Sequence, residues 1–358
     1  GPGQPGEDDA SALADAGVPT DSIELVMADS IGVEMGDSNL VLGRPLAAQC
    51  MPEGRVAILD QDKCCVGIFT RDGQFIQVVG REGSGPGEFN FPAAMDVKPS
   101  GGLVVCDAMG RKLIQFDSGL AYAGEVSGFF PTPPTSIVFL SDSAFVGTAV
   151  AYEMGEETMS AGFEVGRWSM GSLEPEVIYY RNLAPFDPEN LFESDAETPL
   201  FTALSDGTVY TAVRSTEEYA FRAWNPDGTE LFTVTEPFER TPKTAEEIER
   251  ERSYIESLMR RGGAPESMIE SIKVDEYRVA ISSLGIGPDG NLWVRLGAPR
   301  HPVFRIYDPH DGTLLAVASM NSPPVEGDLA ISMNRWGFAA REEMSDQWPR
   351  VYVLEMVE

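Results

Sequence analysis

Short stretches of alternating polar and apolar residues recur along the chain, and glycine, proline, aspartate or asparagine separates them. Such alternation predicts β-strands that bury one face, and an Asp-Gly pair between two strands predicts a tight hairpin. Asp72-Gly73 and Asp206-Gly207 are examples of such pairs. The pattern therefore predicts an all-β protein built from many short antiparallel strands.

The clearest copy of a repeating unit lies at Gly80–Asp117. A loop rich in glycine and proline opens this unit, and strands are predicted at Ala93–Val97, Leu103–Cys106 and Lys112–Asp117. The unit resembles a blade of the NHL-repeat type of β-propeller. The pattern of that family contains a GPGEF-like loop, a turn, a strand ending in Val-x-Asp, and a strand of the form basic-apolar-x-x-Phe-Asp. The resemblance implies a propeller architecture and no particular activity.

The unit returns about six times along the chain. Aligning the copies places an aromatic residue at an equivalent point of each third strand, namely Phe69, Phe116, Trp168, Trp224, Tyr307 and Tyr352. Repetition at this kind of period is typical of propeller blades, in which such aromatics pack between neighbouring blades. The third copy is the most degenerate, with strands predicted near Ala144–Val150, Phe163–Trp168 and Glu176–Tyr180.

The two ends of the repeat array suggest how the ring closes. The sixth copy has no fourth strand of its own, whereas the predicted strand Ser22–Met27 precedes the first copy and belongs to no unit. Pairing the two removes the edges that an open sheet would expose. We therefore expect residues 22–358 to form a single six-bladed β-propeller closed by an N-terminal strand.

One interruption of the β pattern, the helical insertion 242–274, separates the fourth and fifth copies. Thr244 and Glu247 have the spacing of a capping box, Ala245–Arg261 contains no glycine or proline, and Pro265 opens a second, shorter helix. The first helix carries an apolar stripe made of Ile248, Ile255, Leu258 and Met259. We expect this stripe to cover one mouth of the propeller or to bind a partner protein.

The N-terminal segment 1–21 is small, acidic and rich in glycine and proline, which is the composition of a flexible arm or tether. It resembles the segment that follows the lipidated cysteine of many bacterial lipoproteins. The leading Gly1-Pro2 is equally compatible with the scar of a cleaved tag. The sequence predicts no transmembrane segment. We expect a periplasmic or cell-surface protein, and attachment by an N-terminal lipid anchor is one alternative.

The charge of the chain is unusual, since 57 acidic residues stand against 26 basic ones and give a formal net charge of -31. Such a field repels phosphate backbones and anionic membrane surfaces, so nucleic acid is excluded as a partner. It favours a partner protein with basic contact surfaces. Solubility alone is the simpler explanation of the same charge.

Cysteine and histidine offer little metal chemistry. The cysteines are Cys50, Cys64, Cys65 and Cys106, and the histidines are His301 and His310. No Cys-x-x-Cys pair is present, which argues against a zinc site. Cys50 and either Cys64 or Cys65 belong to the same unit, so a disulfide between them and buried free thiols are both compatible with the sequence.

No catalytic, cofactor-binding or metal-ligating residue emerges from the sequence. The glycines Gly80, Gly83 and Gly85 suggest a phosphate-binding loop, but no helix follows them, so an inter-blade loop explains them better. Arg300-His301-Pro302 and Arg335-Trp336 are compatible with exposed binding features, but we expect each to be an ordinary loop or a packed aromatic. Calcium-dependent propeller lactonases hold their metal with channel carboxylates and amides, and no spacing here singles out such a set.

These observations lead to one functional hypothesis with two alternatives. We expect a non-catalytic, extracytoplasmic propeller that serves as a protein-binding scaffold or as an accessory subunit of a larger complex, for instance a respiratory or photosynthetic one. The first alternative is a calcium-dependent propeller hydrolase. The second is a propeller that binds a sugar or a peptide through exposed aromatics at a channel mouth.

Overall fold

A computed structural model describes residues 22–155, 158–185, 198–261, 264–297, 302–320, 328–343 and 348–357 of the protein. The predicted arm, 1–21, lies outside the described residues, and so do Arg300 and His301. Within the described chain, strands arranged as six blades in five sheets account for most residues, and an insertion of two helices interrupts them.

Each blade contains four strands, numbered here in chain order. Blades one to three contain β2 (Pro45–Met51), β3 (Arg55–Asp60), β4 (Cys65–Thr70) and β5 (Phe75–Val79); β6 (Pro92–Val97), β7 (Leu103–Asp107), β8 (Lys112–Phe116) and β9 (Tyr122–Ser127); and β10 (Ser136–Ser141), β11 (Ala144–Met154), β12 (Met159–Ser169) and β13 (Val177–Pro185). Blades four to six contain β14 (Pro199–Ala203), β15 (Val209–Val213), β16 (Tyr219–Trp224) and β17 (Glu230–Glu236); β18 (Ile281–Ile286), β19 (Leu292–Leu296), β20 (Val303–Tyr307) and β21 (Leu314–Ser319); and β22 (Asp328–Asn334), β23 (Gly337–Glu343), β24 (Val351–Val357) and β1 (Ser22–Ile31).

The first strands of the blades, β2, β6, β10, β14, β18 and β22, form a closed ring in which each strand contacts the next. This arrangement is a six-bladed β-propeller with a central channel. The loops between blades lead into the beginning of each first strand, and we call this end of the ring the upper face. The hairpins between first and second strands lie at the lower face.

The N-terminal strand closes the ring as the sequence predicts. β1 pairs antiparallel with β24, from Glu24 opposite Val357 to Ile31 opposite Val351. Its first residues also pair in parallel with β21 of blade five, with Ser22 opposite Val317. β1 therefore joins blades five and six into one eight-stranded sheet.

The core lies mainly between blades. Five of the six aromatics aligned from the sequence are buried, and Trp224 is half-buried. Phe116 makes an edge contact with Phe89, which precedes its own blade, and Tyr307 of blade five makes one with Phe221 of blade four. The predicted structural role of these aromatics is therefore consistent with their packing.

Blade three differs from the sequence prediction in length. β11 and β12 pair without a bulge from Ala144 opposite Ser169 to Met154 opposite Met159. The predicted strands ended at Val150 and began again at Phe163, so they were too short. Glycine, alanine and serine in these upper halves have weak strand propensity, and only their regular pairing makes them strands.

The helical insertion matches its prediction. The helices α1 (Ala245–Arg261) and α2 (Glu266–Glu270) follow each other, and the capping box is formed. The Thr244 amide donates to the Glu247 carboxylate at 2.7 Å, and the Glu247 amide donates to the Thr244 hydroxyl at 3.2 Å. None of the α1 side chains that the structure describes is fully buried.

Ion pairs attach α1 to the upper face. Arg278, which precedes β18, contacts the Glu247 carboxylate at 2.9 Å. Arg250 lies 3.9 Å from the carboxylate of Asp328, the first residue of β22. These ion pairs thus attach the insertion to the upper face at blades five and six.

All four cysteines are free, so the structure supports the free-thiol alternative. Cys50 pairs with Val56 near the lower end of blade one, whereas Cys65 pairs with Asp60 at the upper end. Val56 and Asp60 are about 13 Å apart along their strand, which is too far for a disulfide between the two levels. Burial raises the pKa of the Cys50 and Cys65 thiols to about 11.

Candidate functional site

The aspartate of the Val-x-Asp motif organises the upper face of blade two. Asp107 is fully buried, and its carboxylate accepts hydrogen bonds from the backbone amides of Asn90, Phe91 and Gly110 at 2.8, 2.7 and 3.1 Å. Because these amides belong to two different loops, one carboxylate fixes both loops to the end of β7. Asp107 therefore has a structural role in this face.

The two loops that Asp107 fixes carry exposed apolar side chains. Phe91 lies in the loop that enters blade two and is 43% exposed, and Met109 lies in the loop between β7 and β8 and is 69% exposed. The Ala108 amide donates to the Phe91 carbonyl at 2.9 Å, which places the two loops side by side. Phe91 and Met109 are thus held at the surface by a rigid backbone.

A third exposed side chain comes from the loop between blades two and three. The amides of Gly128 and Phe129 donate to the Arg111 carbonyl at 3.1 and 3.3 Å. Phe129 is buried, whereas Phe130 is 80% exposed and has the Arg111 guanidinium 5.7 Å from its ring centre. We call the surface formed by Phe91, Met109, Arg111 and Phe130 the upper patch.

Acidic residues lie beside the upper patch. Asp62, in the loop between β3 and β4, and Glu82, in the loop between blades one and two, carry exposed carboxylates near Cys64. Burial raises the pKa of the Cys64 thiol, and the charges of Glu82, Asp107 and Asp62 raise it further. An apolar centre with an acidic margin therefore faces solvent at this position.

The inner strands that the structure describes do not gather a set of carboxylates. Among the described inner strands, Asp96 of β6 and Asp328 of β22 are the acidic residues. Asp96 lies opposite Val104 toward the lower end of its strand, whereas Asp328 begins its strand at the upper face. The two carboxylates are at opposite ends of the ring, so they do not converge on one site.

Each of these two carboxylates has a structural environment of its own. Burial raises the pKa of Asp96 to about 7, although the Phe139 amide, 2.7 Å away, and the charge of Arg335 oppose the rise. Burial also raises the pKa of Asp328, and the charges of Arg250 and Arg295 oppose it. Asp96 links the first strands of blades two and three, and Asp328 anchors the helical insertion.

Other residues singled out by sequence have ordinary positions. Gly85 donates its amide to the Glu88 carboxylate at 2.8 Å, so a side chain of the loop itself fills the glycine-rich turn. Arg335 is exposed, and Trp336 is half-buried against the core of blades one and six. Over the described ranges, no group of three or more His, Cys, Asp or Glu side chains is placed to share a metal ion.

Sequence reasoning did not identify the upper patch. Its residues lie in predicted loops, and the nearest signal is the run Phe129-Phe130-Pro131, in which apolar residues stand outside any predicted strand. Loop aromatics become informative only when the structure shows that they are exposed and close together. Across the described part of the chain, no helix is long and apolar enough to cross a membrane.

Comparison with known proteins supports the fold. A family model named DUF5128 and described as a 6-bladed β-propeller matches residues 37–132, which contain blades one and two. The assignment to NHL repeats stays a resemblance. No curated protein gives a significant sequence match to this chain.

Two solved structures share the architecture over nearly their whole length. One is a protein from Bacteroides fragilis described as exported, with a TM-score of 0.51, 12% sequence identity, and coverage of 94% of this chain and 99% of that chain. The other is a member of the DUF4221 family from Bacteroides vulgatus, with a TM-score of 0.51, 10% identity and the same coverage of both chains. At these identities the likeness shows the fold alone.

Proposed function

We propose that this chain is an extracytoplasmic β-propeller that binds another protein through the upper patch and serves as a scaffold or accessory subunit of a larger complex. The observation that carries the proposal is the exposure of Phe91, Met109 and Phe130 on loops that hydrogen bonds to the Asp107 carboxylate and the Arg111 carbonyl hold in place. Aromatic, methionine and arginine side chains are the types enriched at protein interfaces. Because the backbone is fixed before binding, little ordering cost opposes association.

The charges around the upper patch define the partner that would fit it. Exposed Asp62 and Glu82 flank the apolar centre, and the whole chain has a formal net charge of -31. A partner that presents apolar side chains surrounded by lysine and arginine would be steered to this face and would neutralise its margin. Binding is therefore expected to weaken as the salt concentration rises, because salt screens the charges that steer the partner.

The position of the N-terminal strand is compatible with a partner that binds at the upper face. β1 begins at Ser22 at the lower end of blade six, opposite to the upper face. A tether made of residues 1–21, lipid-anchored or not, would therefore present the upper patch away from its point of attachment. The exported relative from Bacteroides fragilis fits a location outside the cytoplasm, in the periplasm or at the cell surface.

Site-specific photo-crosslinking in the native cell tests this proposal. A photoreactive amino acid at Met109 should capture a defined partner, and the same group at Leu231 should not. Leu231 is a suitable control because it is 44% exposed and lies on β17 of blade four. The Phe130→Ser variant should lower the yield of the Met109 adduct at least about tenfold, as loss of a central interface aromatic does.

The matched variant Leu231→Ser should leave the Met109 adduct unchanged. Equal capture from both positions, or an adduct that is insensitive to Phe130→Ser, would contradict the proposal. Purification in gentle detergent gives an independent check. The proposal expects the crosslinked partner to copurify, and a monodisperse monomer without companions argues against it.

A further inference from the structure

Within the described chain, the extended hairpin of blade three has a strand edge that no other strand pairs with. β10 pairs with β11 only between residues 144 and 148, whereas β11 continues to Met154. On its other side, β11 remains paired with β12 along its whole length. Among the residues that the structure describes, no strand pairs with the inner side of Ala149–Met154.

The direction of the backbone groups follows from two hydrogen bonds at the ends of the β11–β12 ladder. The Gly155 amide donates to the Thr158 carbonyl at 2.8 Å, and the Met170 amide donates to the Ser143 carbonyl at 2.7 Å. In this regular ladder, the backbone amides and carbonyls of the odd-numbered β11 residues therefore point toward β12. Because alternate residues point to opposite sides, the amides and carbonyls of Val150, Tyr152 and Met154 point toward the open edge.

The chain that enters blade three explains why the edge is open. The Thr135 amide donates to the Thr148 carbonyl at 2.8 Å and ends the contact with β11. Pro133 and Pro134 precede it, and they have no amide hydrogen to continue the ladder. The sequence thus stops the pairing at a defined level and leaves the upper half of β11 without a neighbour in the described chain.

We infer that this edge, Val150–Met154, binds an extended segment of a partner protein by strand addition. The inference rests on the proposed function and adds the mode of recognition. An unpaired edge supplies amides and carbonyls at the spacing of a strand, and it selects extended peptides. The edge spans about 17 Å at the usual rise of a strand, which is enough for five residues of a bound segment.

Side chains next to the edge define the chemistry of that segment. Tyr152 and Met154 project on one face of β11 and are 46% and 76% exposed, whereas Glu153 projects on the other face and is exposed. A segment with apolar residues on one face and lysine or arginine on the other matches this alternation. Its basic face also matches the net charge of -31.

The edge and the upper patch are close enough for one partner. Phe130 of the patch and Thr135, which is bonded to β11, are separated by five residues of chain. Their distance is therefore at most about 18 Å. The inference therefore places the edge and the upper patch within the reach of one partner.

Replacement of Tyr152 by proline tests the role of the backbone. The Tyr152 amide points to the open edge, so proline there removes a donor from the edge without removing a bond to β12. Tyr152→Ala is the matched control because it shortens the side chain and keeps the amide. The probe is a short synthetic peptide in which valine and lysine alternate, and a version N-methylated at alternate residues is the control peptide.

The expected results separate strand addition from charge attraction. The unmodified peptide should bind the parent protein and slow amide exchange at Val150, Tyr152 and Met154, and N-methylation should abolish binding. Tyr152→Pro should weaken binding at least about tenfold, because it removes one backbone hydrogen bond and disturbs the strand geometry of the edge. Tyr152→Ala should weaken binding less. Equal binding of both peptides, or of both variants, would overturn the inference.

The same variants distinguish this inference from the proposed function. If Tyr152→Pro leaves the Met109 crosslink unchanged and the peptide fails to bind, strand addition is wrong and the upper patch stands. If Tyr152→Pro abolishes peptide binding while Phe130→Ser leaves the crosslink intact, the edge is the binding site and the upper patch is not. Circular dichroism of each variant confirms that the blade is folded.

Discussion

Asp60 and Asp107, which lie 47 residues apart in the sequence, accept hydrogen bonds from backbone amides at the same three relative positions. In blade one these amides belong to Gly43, Arg44 and Lys63, at 2.7, 2.9 and 3.2 Å. The motif aspartate is thus a repeated structural device that ties an inter-blade loop to the second strand of its blade.

Replacement of Asp107 by alanine should destabilise the fold. It leaves three backbone amides without their charged acceptor, and we expect the free energy of unfolding to fall by about 3 kcal/mol. Denaturant unfolding followed by tryptophan fluorescence measures the change. Asp62, which is exposed and lies two residues after Asp60, provides the control. The Asp62→Ala variant should change the free energy of unfolding by less than about 0.5 kcal/mol. An unchanged midpoint for Asp107→Ala would contradict the structural role.

The buried carboxyl of Asp96 should make stability depend on pH. Its pKa of about 7 in the folded protein lies above the value of 3.8 for an unperturbed aspartate, so the folded state holds a proton that the unfolded chain releases. The contribution of Asp96 to stability is therefore complete below about pH 4, falls as the pH rises to about 7, and is constant above that.

The variant Asp96→Asn, which stays neutral, should therefore gain stability relative to the parent between pH 4 and pH 7. The expected gain is on the order of 4 kcal/mol, read from unfolding midpoints at a series of pH values. The control Asp62→Asn should follow the parent at every pH. Parallel profiles for Asp96→Asn and the parent would show that Asp96 is charged in the folded protein at neutral pH.

Loss of the capping box should loosen α1 without unfolding the propeller. Thr244→Ala removes the acceptor of the Glu247 amide, and N-cap losses of this kind cost about 1 kcal/mol. Because no described α1 side chain is fully buried, we expect amide exchange in Ala245–Arg261 to accelerate about fivefold while strand amides keep their rates. Acceleration throughout the ring would mean that the helix and the propeller unfold together.

The closing strand offers a matched pair of substitutions. Leu25 is buried in the core of blades five and six, whereas Met27, two residues later, is 45% exposed. Leu25→Ala should lower the free energy of unfolding by about 3 kcal/mol, and Met27→Ala by less than about 1 kcal/mol. Thermal unfolding by calorimetry gives both values. Similar effects of the two changes would show that β1 is not packed into the ring.

Much of the fold follows from the sequence because the signals are local. Asp-Gly turns, alternation and the aromatic of each third strand locate the blades, and the capping box locates α1. The upper half of β11 could not be predicted in this way. Alanine, glycine and serine carry little strand preference, and these residues become a strand only through their partners on β12.

The candidate site could not be predicted from local sequence patterns for a similar reason. Phe129 and Phe130 are identical neighbours, yet one is 3% exposed and the other 80% exposed. The difference in exposure arises because the Arg111 carbonyl accepts hydrogen bonds from the amides of Gly128 and Phe129. This contact joins segments that are separate in the sequence. The open edge likewise depends on where one ladder ends and another continues, and this is a property of the register.

The pairing of β1 also has a consequence for the order in which the protein folds. Its partners, β21 and β24, lie much later in the sequence, so β1 waits for them before it can pair. Contacts of such long sequence separation form slowly. The ring therefore cannot close until β24 is available to pair with β1.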